Sequence, residues 1–593
     1  MNILLLHNNN VPFSFISENW DDDIDLKIEI LKPSTDDNDY DVFVSQQLES
    51  IFFNNIFDLI ILPYSFSEYN PIEYTGLNVA AHIRLTPEWN HSRKPILFVG
   101  PEEAKQVAKL SEMGSILFSP GICSTRTNSL PNLTKGIKEL SLGDITDSDF
   151  DDFLNRIQIP RPSNYATHHS IANEWAVMRW GNDVINWGEQ EKPVIGAKSF
   201  TSMLYFKYLI AKSGSRDRIT KTWKRNHGAT PIIDGISGKV IAYIDDEYDK
   251  GWSKLLSIIF ENSGAKLHVY DKFKEHKERE DLISSINDFV DNVNADCYLL
   301  DLRLHDDDFE KEHWRNLTGH EVAKHIKNSN IGNQIVVFTA SNKIWNLKEA
   351  IFKIGVSGYS MKESPELNLK RQESLGLYQE FANAIRQACK MSYLKEIVNK
   401  QSRLKSILPS ITQLDNIVNL LSIDQGENDR YLLGAAMLSE MVFIEDFIKN
   451  QLGYELLSTG EGLTLKVSLC SKKAKYPYQQ LVTGHIFFKR IQIGLHSIVI
   501  DVSEYNATPE TAPSGMCDVT GSDISLVVAV LMIIFNLPRR VVKQYVDLKF
   551  IRNTQIAHPN DSHNDEKKLS AEQIVDFYHN VIYPIVLKSK QIY

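Results

Sequence analysis

The sequence predicts an α/β chain of two doubly wound parallel units in series, followed by a mainly helical domain that carries a β-rich insertion. Three observations carry this. Short apolar runs alternate with helix-length segments at the start of the chain, the same rhythm returns after Lys239, and beyond Ser392 the spacing turns helical until a longer β-like stretch interrupts it. Short runs that are apolar throughout are what strands covered on both faces of a parallel sheet require.

The first unit spans residues 1–145. Its runs are NILLL at the N-terminus, DLIIL at 58–62, PILFVG at 95–100 and SILF at 115–118, each expected to form a strand. Residues 146–236 lose the rhythm. They hold Pro160, Pro162, Trp175, Trp180 and Trp187 and a helical pattern around HSIANEWAVMRWGNDVINW, and are expected to be a helical connector. The adjacent His168 and His169 lack a carboxylate or thiolate partner at ligand spacing, a poor metal signal. Residues 237–391 repeat the rhythm through KVIAYI, KLHVY, CYLLDL, QIVVFT and GVSGYSM, five strands whose order fits a flavodoxin-like sheet. Residues 392–593 are expected to be helical at Ser392–Ile423 and Asp429–Leu452, β-rich at about 454–503, then helical near 523–536, 538–556 and 570–590.

At 593 residues the chain is too long for one core. Its formal charge of -12 argues against a global footprint for nucleic acid and leaves room for a local basic face. Five cysteines, odd in number and far apart, suggest neither a disulfide framework nor a CxxC zinc site and fit a reducing cytoplasm. The N-terminus has no basic region or cleavage site of a signal peptide. The most apolar stretch, Ile524–Phe535, falls short of the ~20 residues that span a bilayer, so a cytoplasmic location without a membrane partner is expected. Gly235–Lys239 lacks the spacing of a phosphate loop, and no hydrolase, zincin, kinase or helix-turn-helix signature stands out.

The second unit places chemistry at its strand ends. IAYIDDE ends in Asp245 and Asp246, CYLLDLRL in Asp301, VVFTAS in Thr339 and GYSMKES in Lys362. In an open parallel sheet the C-terminal ends of the strands share one edge, so these groups converge. Three carboxylates form a hard oxygen cage suited to Mg²⁺, and a lysine and a hydroxyl can hold phosphoryl oxygens.

This set resembles the response-regulator receiver family over about 150 residues. The resemblance implies that Asp301 is the phosphoacceptor and that Asp246 and the backbone carbonyl of Arg303 are Mg²⁺ ligands, with Asp245 supporting the metal through water. Thr339 and Tyr359 look like the family's switch pair, and the donor would be a histidine kinase or phosphotransfer protein. Two departures stand out. The segment HDDDFEKEHWRN after the acceptor is longer than usual and reads as an altered lid, its His305 and His313 as parts of a solvated loop, and Glu363 replaces the usual proline after the lysine.

The same template lies over the first unit without its chemistry. His7 and Asn8 stand where the acidic pair belongs, Pro63 at the acceptor, Gly100 in place of the hydroxyl and Ser119 in place of the lysine. This resembles a degenerate pseudo-receiver, suited to interaction rather than phosphoryl chemistry.

Near the C-terminus, Val541, Tyr545 and Leu548 fall at helical spacing and Arg552 continues that face, with Asn553 next and His558 held before Pro559 at the helix end. This arrangement is similar to the Rx4–6H motif of HEPN domains, many of them metal-independent ribonucleases. The likeness implies His558 as acid–base, Arg552 as stabiliser of phosphorane charge, RNA as substrate drawn by Arg539, Arg540, Lys543 and Lys549, and a homodimer through this domain or the receivers. The expected function is thus a response-regulator-like signalling protein in stress or phage defence, with Asp301 phosphorylation controlling a HEPN-like effector. The alternative is a non-enzymatic, phospho-dependent adaptor whose C-terminal domain binds a partner.

Overall fold

The computed structural model describes the chain outside residues 9–19, 21–22, 32–39, 67–72, 127–129, 141–142, 161–168, 182–201, 213–231, 312, 341–354, 368, 370, 409–411, 425–428, 459–464, 472–479, 494–495, 507–515, 518–525, 529, 553–568 and 593. The first unit is a five-stranded parallel sheet of β1 (Asn2–His7), β2 (Asp25–Ile30), β3 (Leu59–Pro63), β4 (Ile96–Val99) and β5 (Ile122–Thr125), in the spatial order β2-β1-β3-β4-β5. The central strands carry residues without solvent exposure, such as Leu4, Ile60 and Phe98. Around the sheet lie α1 (Tyr40–Phe52), α2 (Thr75–Arg84), α3 (Ala104–Leu110), α4 (Leu130–Glu139) and α5 (Asp147–Arg156).

One expected strand is absent and two strands went unforeseen. SILF lies in a 3-10 turn, Gly114–Phe118, which buries Ile116 and Leu117, and the fifth strand follows at Ile122–Thr125. Gly121, at φ +68, makes the bend between them; a Cβ there would meet Ile145 at 2.3 Å. The other unforeseen strand is β2, whose half-exposed DLKIEI run forms the opposite edge of the sheet.

The connector supplies α6 (His169–Trp180) and α7 (Leu204–Lys212). On α6, Trp175 packs into the first unit's core, whereas Ala176, Val177 and Trp180 pack into the second's, so this helix belongs to both. Helix α7 docks on the first unit through a buried polar network. Lys207 Nζ donates to Ser45 Oγ at 2.8 Å and Thr86 Oγ1 at 3.0 Å, and Asp41 accepts from Leu204 N at 2.9 Å and pairs with His82 Nε2 at 3.0 Å.

The second unit repeats the architecture with β6 (Val240–Ile244), β7 (Lys266–Val269), β8 (Cys297–Leu300), β9 (Gln334–Thr339) and β10 (Gly358–Met361), all parallel, in the order β10-β9-β8-β6-β7. Read from the other edge this is the first unit's order, the flavodoxin-like one. Its helices are α8 (Ser253–Asn262), α9 (Arg279–Val293), α10 (Thr318–Ser329) and α11 (Arg371–Lys390).

Beyond it, α12 (Tyr393–Lys405), α13 (Thr412–Asp424), α14 (Arg430–Asp446), α15 (Arg539–Ile551), α16 (Ala571–Phe577) and α17 (Tyr583–Ile592) share one core, including Leu414, Met437, Tyr545 and Phe577. The insertion is an antiparallel sheet of β11 (Tyr454–Ser458), β12 (Leu465–Ser471), β13 (Gln480–Ile493), β14 (His496–Asn506) and β15 (Met516–Cys517). It therefore runs past the expected boundary at 503. No helix among the described residues is long and apolar enough to cross a membrane.

Burial pushes the His82 imidazole below its usual value, against the pull of Asp41. A base whose folded value lies below its unfolded one binds its proton first in the unfolded chain. Stability is then full above the unfolded value near ~6.5 and falls as pH drops beneath it. We expect the urea midpoint to decline from about pH 7 to about pH 5, at most about 1.4 kcal/mol per pH unit from this group, and the decline to flatten in His82→Gln. An unchanged slope in that variant assigns the pH dependence elsewhere.

Candidate functional site

The C-terminal edge of the second sheet gathers the groups that the sequence placed there. Strand β6 ends with Ile244 paired to Leu300 of β8, which sets Asp245 beside Asp301 one step further. Carboxylate oxygens of Asp245, Asp246 and Asp301 all lie within 4.8 Å of one another. Lys362, directly after β10, is fully buried and places Nζ 2.6 Å from Asp245 Oδ2 and 3.1 Å from Asp301 Oδ2. Thr339, at the end of β9, is buried, and its carbonyl accepts from Lys362 N at 2.9 Å. Tyr359, two strand positions before Met361, is half-buried against the core beneath.

The charges compensate one another only in part. Burial alone would lower the Lys362 ammonium, but Asp245 and Asp301 overcome it and hold the group above its ordinary value. Burial raises the Asp245 carboxyl, with Lys362 opposing. Asp246 is pushed well up by burial and then by repulsion from Asp245 and Asp301. Three crowded carboxyls against one ammonium make a site that takes up positive charge, either protons or a hard cation.

Several contributors escaped the sequence reading. Tyr243 Oη donates to Asp245 Oδ2 at 2.7 Å. It lies two residues before Asp245, on the same face of the strand path, a period that pointed to it. Glu247 N donates to Asp245 Oδ1 at 3.0 Å, and Leu302 N and Arg303 N to Asp301 Oδ1 at 2.5 and 3.3 Å. Gly319, the second residue of α10, lies so close to Asp301 that a Cβ would meet its carbonyl oxygen at 2.2 Å.

The segment expected to be a solvated loop is folded around one carboxylate. Asp308, without exposure, accepts from Leu304 N and His305 N through Oδ2 and from Thr318 N and Oγ1 through Oδ1. That caps α10 and sets Phe309 at the site's wall, with the Arg303 guanidinium 5.4 Å from its ring. Asn173 of α6 lines the same cavity, of about 20 Å³, together with Asp246, Asp301 and Thr339.

In the first unit the described counterparts of Asp246, Asp301 and Thr339 are Asn8, Pro63 and Gly100, none of them a carboxylate. Asn8 is buried and donates from Nδ2 to Phe66 O at 2.9 Å, Tyr64 stacks on Phe98, and a Cβ on Gly100 would meet the Tyr64 ring at 2.3 Å. Ser119, expected at the lysine position, precedes β5 instead. Thr125 pairs with Val99 as Ser360 pairs with Phe338, so the equivalent of Lys362 is position 127, outside the described residues. Pro63 closes β3 where Asp301 follows β8. Among the described residues, the cluster of metal-ligating side chains is in the second unit.

Of the C-terminal set, Arg552 ends α15, one-third exposed, with a guanidinium nitrogen 4.0 Å from Glu445 Oε1, an oxygen that also accepts from Lys549. Tyr545 and Leu548 are buried as the spacing required. Asn553 and His558 lie outside the described residues.

A receiver-like α/β sheet whose strand ends lack the acidic cluster defines the class of the first unit. Residues 10–125 match the family model of the Inactive Receiver domain, iREC. No curated protein matches the chain. A domain of this class points to a signalling role.

Removing one partner of a buried ion group leaves the rest uncompensated, at roughly 3–5 kcal/mol. In metal-free buffer Lys362→Met should therefore lower the urea midpoint sharply. The sign with pH follows from the carboxyls that it exposes to one another. Groups whose folded values are raised stabilise fully at acid pH and lose that contribution as pH rises. The deficit of the variant should be larger at about pH 7 than at about pH 5, and a deficit independent of pH would count against the charge balance described.

Proposed function

We propose that this chain is a signalling protein whose second α/β unit, residues 237–391, is a phosphoaccepting receiver with Asp301 as acceptor. The observation that carries it is Lys362 Nζ bridging Asp245 and Asp301 while Asp246 stands within reach of both. Asp245, Asp246, Asp301 and the backbone carbonyl of Arg303 would hold Mg²⁺, which supplies charge neutralisation to the phosphoryl oxygens. Lys362 and Thr339 bind those oxygens, and Tyr359 reports the change to the adjoining surface. An Asp301 carboxylate oxygen attacks the phosphorus of a phosphohistidine or phosphoramidate, the P–N bond breaks, and the nitrogen leaves with a proton. The first unit, lacking such a cluster, contributes contacts rather than chemistry.

The C-terminal helices form the output of this switch. Glu445 competes with any phosphate for Arg552, which favours a binding output, a partner or a second copy of this chain, over RNA cleavage by Arg552, Asn553 and His558.

Incubation with Mg²⁺ and phosphoramidate should add one phosphoryl group by intact mass, mapped to Asp301 and lost in Asp301→Asn. Mg²⁺ at about 100 times its dissociation constant should also stabilise the wild type by about 2.7 kcal/mol and leave Asp246→Asn unmoved. Modification at another residue would sink the reading. Assayed alongside, RNA incubated with phosphorylated wild type and with His558→Ala should remain intact in both; cleavage lost in the variant would instead establish the ribonuclease.

A further inference from the structure

The candidate site is assembled from two parts of the chain, and one of them lies outside the unit that carries the sheet. On α6, Asn173, Ala176, Val177 and Trp180 fall at i, i+3, i+4 and i+7, one stripe turned towards the second unit. At one end of that stripe Asn173, 2% exposed, accepts from Trp252 Nε1 at 2.8 Å and lines the cavity over Asp301. Trp252 in turn lies 5.6 Å from Lys362 Nζ. At the other end Trp180 packs edge-on to Trp252 and Tyr378. Beside it Arg179 donates from Nε to Glu363 Oε1 at 3.0 Å and from a terminal nitrogen to Leu369 O at 3.0 Å. Arg179 and Glu363 are both essentially without solvent exposure, and Ser374 donates to the second oxygen of Glu363. Glu363 is the residue after Lys362, so the anchor of α6 is covalently adjacent to the ammonium that holds Asp301.

We propose that α6 is a cap laid by the chain over its own phosphoacceptor site, closed by Asn173 and anchored by the Arg179–Glu363 pair, and that phosphoryl transfer to and from Asp301 requires this helix to undock. The inference rests on the phosphoacceptor reading. Its physical ground is position. Asn173, buried, lines the small cavity beside Asp301 together with Asp246, Arg303, Phe309 and Thr339, so a phosphoryl donor or a water that reaches Asp301 through it meets this side chain.

In-line transfer places the attacking and leaving atoms on opposite sides of phosphorus. When Asp301 is phosphorylated, the donor nitrogen occupies the position away from the Asp301 oxygen. When the phosphoryl group is lost, a water oxygen attacks from that same position, the P–O bond to Asp301 breaks, its electron pair returns to the carboxylate, and inorganic phosphate leaves as a proton passes to solvent. Both steps need the space that Asn173 helps to close. The cap therefore slows entry and loss together, a signature that a residue assisting one step lacks.

The test uses the full chain, Mg²⁺ and phosphoramidate, with the phosphorylated fraction followed by intact mass during loading and again after donor removal. Arg179→Ala paired with Glu363→Ala removes the anchor without leaving either charge buried alone and without putting an apolar contact in its place. Asn173→Ala removes the closing side chain and decides the question should the paired variant fail to fold. Both should load and lose the phosphoryl group faster by about tenfold, the two rates rising by a similar factor. Rates within about twofold of a wild type that does accept the group, or a rise in one direction alone, overturn the cap. Absence of modification in wild type and variants alike overturns the phosphoacceptor reading itself, and the cap with it.

Discussion

Lys362 has no contact with solvent, and its ammonium persists there because Asp245 and Asp301 stand 2.6 and 3.1 Å away. That single arrangement constrains three strand ends at once. The end of β6, the end of β8 and the residue leaving β10 meet within a few ångströms, consistent with the register that the backbone pairing sets. The apolar surroundings sharpen the demand, since Trp252 and Phe338 rings lie 5.6 and 5.5 Å from Nζ and exclude the water that would otherwise screen the charges. An ammonium alone does not satisfy three acids. Burial and mutual repulsion raise the Asp245 and Asp246 carboxyls, and a divalent cation would relieve the same crowding.

The first unit shows that the fold does not need this cluster. With the same strand order, it places Asn8, Tyr64 and Gly100 at that edge, held by a hydrogen bond to Phe66 and by ring stacking. Among the described residues, no cluster of three metal-ligating carboxylates stands there. Retaining three buried ionisable groups, with Asp246 half-buried beside them, is not explained by folding, since buried ion pairs seldom stabilise more than apolar replacements. Chemistry at that edge, as proposed, would supply the reason.

What the sequence disclosed follows from how much each element is buried. Strands β1, β3 and β4, covered on both faces, were visible as unbroken apolar runs, whereas β2 and β5, at the edges and half-exposed, carry DLKIEI and ICST and left no such signal. SILF misled because four apolar residues bury equally well in a 3-10 turn. The acidic cluster was legible because strand ends of a parallel sheet share an edge whatever their separation in the chain. Asp308 was not, for its role depends on a loop closing back to cap α10, and Asn173 was not, for its place depends on how the connector docks. Glu363 stands out in the sequence only as a replaced proline, because its partner Arg179 lies far away in the chain and meets it through the docking of α6.

That pair bears on how the two halves of the molecule communicate. Trp175 belongs to one core and Trp180 to the other, so α6 cannot shift against the second unit without disturbing the first. Ala176, Val177 and Trp180 already supply an apolar contact in the second unit's core. The buried ion pair beside them adds little net strength, because desolvation nearly offsets attraction, but a displacement at Lys362 reaches Glu363 through one peptide unit. The charge that would serve the proposed chemistry and the charge that holds the connector are neighbours in the chain. On that proposal a change of charge at the first is felt at the second, and through α6 it reaches the first unit.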